Sequence, residues 1–172
     1  MIEKNDLSKV VIRTVVILSV CLMFASGIFA AANVEPCLLS EQTLQELKTA
    51  SQATGKYHSL TAAQAEGYFD TGIFVEHMGE HYLNQANLDD AIFDPKYPEL
   101  LVYADIGNGQ QRLVAVEYAV KISDSPFGPP EGFTGNCDHW DRNETYGLWT
   151  QHAWIWYSNP DGVFNDLNSR IP

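Results

Sequence analysis

The stretch "LLVYADIGNGQQRLVAVEYAV" (100–120) decides the fold. Leu100 to Asp105 and Arg112 to Val120 are β-rich runs, and Asn108-Gly109 between them is a strong hairpin signal. Both faces of the second run are apolar. Leu113, Ala115 and Ala119 are expected on the side of Glu117, and Val114, Val116, Tyr118 and Val120 on the other. A strand of that kind is covered on both sides. Glu117 is the one charge from Leu113 to Val120. A buried carboxylate needs a partner, because an unpaired buried charge costs several kcal/mol, on the order of 3–5. Small Ala115 and Ala119 beside it leave room for that partner, which can be a cation, an arginine (Arg112 or Arg142) or a tyrosine hydroxyl.

Downstream, "TYGLWTQHAWIWYS" (145–158) reads as an aromatic strand with His152 as its one readily titrating group. Between the two lies a Pro/Gly/Asp-rich loop, 121–144. Upstream, "SEQTLQELKTASQATG" (40–55) reads as a helix: Ser40 can cap it, Leu44 and Leu47 share a face, and Gly55 can end it. "TAAQAEGY" (61–68) opens on a Thr61–Gln64 capping box and predicts a second, short helix. Residues 87–99 read as a loop with two prolines. The expectation is one α+β domain over 33–172: N-terminal helices, then an antiparallel sheet with a central hairpin and an aromatic C-terminal strand.

The N-terminus has a different character. A leader with Lys4, Lys9 and Arg13 precedes an apolar run, 14–32, that closes on Ala30, Ala31 and Ala32. This is a secretory signal pattern. Retained, the 19-residue run would be a short membrane anchor. Either way the remainder is expected outside the cytoplasm, secreted or periplasmic. The chain carries a net charge of −12, and losing residues 1–32 leaves −13, so a phosphate backbone is repelled and nucleic acid is not an expected partner. Cys37 and Cys137 remain, an even pair that can close a disulfide in an oxidising compartment.

"EHMGEHYLNQ" (76–85) sets His77 and His81 four positions apart. On a helix both imidazoles would share a face and could bind one ion, but Gly79 makes a turn equally compatible. The string also fits H-x-x-E-H with Glu80 as base, a match discounted because the inverted zinc-protease motif sits in an unbroken helix. For a bare H-x-x-x-H, and for a lone histidine on an apolar strand, the ordinary readings are surface and core histidines. Together, however, His77, His81, Glu117 and His152 predict a site of three histidines and one carboxylate. That donor set suits zinc, iron, manganese, nickel or copper. The tryptophans are expected to wall such an ion. The competing reading is a metal-free pocket for a small apolar or sugar ligand, lined by Trp and Tyr. His58 and His139 lack paired spacing. "CDHWD" (137–141) could hold a surface cation, though a solvated loop is its default. No nucleophile elbow, P-loop or dinucleotide fingerprint occurs.

The blocks "HMGEHYLN", "FDPKYPELLVYAD", "RLVAVEYAV" and "QHAWIWYSNPDGVF" resemble, in order and spacing, an uncharacterised family of small exported proteins. Its outline is HMGxHY, LDPxxPExLxY, LxLVxVEY and LHxWxWxxNPxGxF. The resemblance spans roughly 57–168 and brackets all four candidate ligands. It supplies no activity. The departure is "FNDLNSRIP", where that outline has a tryptophan and a final cysteine.

Overall fold

The computed structural model describes residues 37–107 and 109–172. The leader at 1–32 lies outside them. Among the described residues no helix is long and apolar enough to cross a membrane.

Local signals place the first helices. Helix α1 (Glu41–Thr54) starts where the Ser40 hydroxyl accepts the Thr43 N–H. It buries Thr43, Leu47, Ala50 and Thr54, a stripe at helical spacing, while Leu44 is exposed, so Leu44 and Leu47 do not share the core face. A 3₁₀ turn (Gly55–His58) leads to α2 (Leu60–Ala65). The cap of α2 is Ser59, which accepts the Ala62 N–H, and not Thr61, which falls inside the helix. Six antiparallel strands follow: β1 (Tyr68–Val75), β2 (Gly79–Asn84), β3 (Leu100–Asp105), β4 (Gln111–Lys121), β5 (Asp141–Asn143) and β6 (Leu148–Ala153). A short α3 (Gln85–Asp90), capped by the Asn84 side chain, occupies part of the expected 87–99 loop. The sheet order is β1-β2-β3-β4-β6-β5, so the expected hairpin is central.

One face of the sheet carries the main core. Leu101, Tyr103, Leu113, Val116, Tyr118 and Ala153 pack with Leu47, Tyr57 and Ala63 from the helical segment and with Phe133 and Phe164. The buried tyrosines satisfy their hydroxyls on backbone carbonyls. Tyr68 donates to Pro98, Tyr103 to Tyr57 and Tyr118 to Pro95. Cys37 and Cys137 form a disulfide, 100 residues apart in sequence. Closing a loop of that length removes about 4–5 kcal/mol of denatured-chain entropy.

The other face has two smaller apolar patches. Val102, Ala104, Val114 and Ala115 pack under Trp154 and Ile171, and Leu88, Leu100 and Ala119 form the second. Strand β4 reaches this arrangement through a bulge. Val102 pairs with Ala115 and Tyr103 with Leu113, which leaves Val114 as a surplus residue. Strict alternation therefore fails at that point: Val114 joins the face of Glu117, and Leu113 crosses to the main core. The aromatic strand is also shorter than the expected 145–158. After Ala153 the chain leaves the sheet ladder, and the Trp156 and Tyr157 N–H groups both donate to the carbonyl of Val114.

Candidate metal centre

Three strands deliver the candidate ligands. Glu117 on β4 stands directly opposite His152 on β6. His81 on β2 is opposite Val102 on β3, which pairs in turn with Ala115, two residues before Glu117. Side chains two apart on a strand share a face, so the three groups lean over one patch of sheet. Ala115 and Ala119, both fully buried, flank Glu117 and leave the space above it that the sequence predicts.

His81 is 5%, Glu117 5% and His152 3% exposed. His81 Nε2 lies 3.5 Å from Glu117 Oε2, and His152 Nε2 lies 3.8 Å from Glu117 Oε1. One ligand atom from each residue falls within 4.8 Å of the others. For metal–ligand bonds of about 2.1 Å, tetrahedral ligands sit about 3.4 Å apart, so little closure is needed to seat an ion.

Acceptors surround both imidazoles. His81 Nδ1 faces the carbonyl of Ile73 at 3.4 Å, and His152 Nδ1 faces Asp166 Oδ1 at 3.5 Å. With the proton on Nδ1, as these acceptors allow, each Nε2 keeps a lone pair that faces the Glu117 carboxylate, itself an acceptor. Glu117 Oε2 and both ring nitrogens of His152 have no hydrogen-bond partner. Among the described residues the ion-pair partners of Glu117 are the two histidines; no arginine or lysine reaches it. Such a cluster of lone pairs is unfavourable unless a proton or a metal ion sits among them. Burial alone would lower the His152 pKa, but Glu117, Asp166 and Asp141 outweigh it and hold the pKa above the ordinary histidine value.

His77 stands apart from this group. It occupies the β1–β2 turn with φ 64°, half-exposed, and its Nδ1 lies 2.8 Å from the carbonyl of Ile171. Its carbonyl accepts the Asn168 N–H at 2.9 Å. The H-x-x-x-H spacing thus crosses from a turn into a strand, and it does not set both rings on one helix face. Gly79 begins β2 at φ 123°, where a Cβ would meet the Tyr103 carbonyl oxygen at 2.3 Å. Glu80, next to His81, alternates to the other side of the strand.

Residues beyond the sequence expectation complete the surroundings. Asp166, from the C-terminal turns, supports His152, and Asp141 on β5 adjoins Asp166. Burial and the nearby Asp166 carboxylate raise the Asp141 pKa; Asp166 is partly buried, but the adjoining His152 and Asp141 hold its pKa below the usual range. His81, Glu117, His152, Asp141 and Asp166 all line one cleft of about 1010 Å³. Its floor is aliphatic, with Ile73, Val75, Leu83, Leu88, Leu100 and Leu148. The expected tryptophan wall is absent from it. Trp154 stacks beside His152 at 6.3 Å, whereas Trp149 donates to Ser125, Trp156 to Thr54, and Trp140 packs against Phe93. His58 lies edge-on against Trp156.

Compared with known proteins, the chain matches no protein-family model, no curated protein and no solved structure.

Proposed function

We propose that this chain is an exported metal-binding protein in which His81, Glu117 and His152 hold one transition-metal ion. The observation that carries the reading is the pair of buried, unpartnered atoms on neighbouring strands: Glu117 Oε2, turned toward His81, and His152 Nε2, turned toward Glu117 Oε1. Two imidazoles and one carboxylate suit zinc, iron, manganese, nickel or copper. Support for export comes from the signal-like leader and from a disulfide, which persists in oxidising compartments.

With His77 outside the ligand set, the coordination sphere is open on any of these ions. Three protein ligands leave one free position on a tetrahedral zinc and three on an octahedral iron or manganese. The site lines the cleft, so a small molecule entering it would meet the ion. That arrangement serves metal-assisted hydrolysis or oxygen chemistry. The alternative, a metal-free pocket, draws on the aliphatic floor of the cleft; it favours a small apolar ligand over a sugar, since no tryptophan lines the wall.

Protein purified without a polyhistidine tag is expected to carry close to one transition-metal ion per chain by elemental analysis. Glu117→Gln and His152→Ala should empty it, and His77→Ala should leave it full. Wild-type protein that arrives empty and takes up none of these metals from solution would end this reading.

A further inference from the structure

Beside the inner cluster lies a second one. His139, from the loop before β5, places Nε2 3.5 Å from Asp141 Oδ2. Asp166 joins them, and one ligand atom from each of the three lies within 4.8 Å of the others. All three are partly open to solvent, so an ion can reach them without disturbing the core. Among the described residues no lysine or arginine pairs with either carboxylate; their ion-pair partners are His139 and His152. Two further observations point into the cluster. The Oδ2 atom of Asp141 is itself buried and has no hydrogen-bond partner. His152, 3% exposed, aims an unpartnered Nδ1 at Asp166 from 3.5 Å.

We propose that His139, Asp141 and Asp166 form a second, outer divalent-cation site, joined to the inner one through the contact of Asp166 with His152. Its donors are two carboxylates and one imidazole, an oxygen-rich set that accepts Mn²⁺. One Asp166 oxygen faces His152. The outer ion is held more weakly than the inner one, because its ligands are solvated and screened. The outer cluster does not depend on the inner site being a metal site, and the two fail separately.

The test loads the full chain with one equivalent of zinc, removes unbound zinc, and titrates with Mn²⁺ while the free-Mn²⁺ electron paramagnetic resonance signal is followed. Mn²⁺ lies below zinc in affinity for a common site and does not displace it. The expected result is one further Mn²⁺ per chain, with affinity lowered at least tenfold in Asp141→Asn and in His139→Ala. Wild-type protein that takes up no Mn²⁺, or uptake unchanged in both variants, overturns the proposal. His139 is on an exposed loop, so its variant reports even where Asp141→Asn misfolds. A chain that binds no zinc, iron, nickel or copper yet takes up Mn²⁺ in a way that depends on Asp141 and not on Glu117 would support the outer site and sink the inner one.

Discussion

Two buried glutamates, one just before β3 and one on β4, meet opposite surroundings. Glu99, 1% exposed, precedes β3 on the packed side of the sheet and accepts the Ala119 N–H at 2.9 Å. Burial, against the pull of that N–H, pushes its carboxyl up to about 8, so it is neutral at pH 7. Glu117, 5% exposed on the cleft side, has no backbone donor on Oε2 and faces two imidazoles. On the packed face the tyrosine hydroxyls and the Glu99 carboxyl each find a backbone partner, and the buried atoms left without one, Gln151 Oε1 and Trp140 Nε1, belong to neutral groups. The cleft face leaves ionisable atoms unpartnered: a Glu117 oxygen and both His152 ring nitrogens. One face is built for stability, and the other keeps lone pairs that only a cation or a proton completes.

Stability measurements on metal-free protein can break or sharpen that contrast. The largest effect belongs to the packed face. Leu101→Ala, at a fully buried position, should cost about 4 kcal/mol in denaturant unfolding and leave metal stoichiometry unchanged. An emptied metal site in a folded Leu101→Ala protein would show that the two faces are not separable.

Next comes Glu99→Gln, which keeps an acceptor for the Ala119 N–H. The folded pKa of Glu99 lies above its unfolded value of 4.5, so its contribution to stability is complete below that value and is lost as pH rises through about 8. Glutamine does not titrate. Between pH 5 and pH 8 the variant should therefore gain about 3 kcal/mol on the wild type. Parallel pH–stability curves for the two proteins would show that Glu99 is ionised in the fold.

The smallest effect is expected at the candidate centre. Glu117→Gln should change metal-free stability by about 1 kcal/mol or less, because the amide that replaces the carboxylate can donate to a facing imidazole lone pair. A loss as large as that of Leu101→Ala would mark Glu117 as a structural member and erase the difference between the faces.

How much was legible in the sequence follows the range of each signal. The β3–β4 hairpin and the capped helix α1 rest on local chemistry, and both read correctly. Glu117 and His152 stood out because each is a lone ionisable group in an apolar run. Strands β1 and β2 did not, since β1 is an edge strand interrupted between Asp70 and Phe74, and its Gly72 reads as a turn. The bulge at Val114 has no signature where every residue from Leu113 to Val116 is apolar. The place of His77 is fixed by carbonyl contacts with the far end of the chain, and Asp166 sits in a turn-rich tail where aspartate is commonplace. Neither leaves a local trace.

Position 79 ties these levels together. Any side chain there would wedge β2 away from β3, and His81, two residues on, would swing off its neighbours. A residue without a side chain thus sets how closely the His81 imidazole approaches Glu117, because only glycine lets the two strands meet at that point.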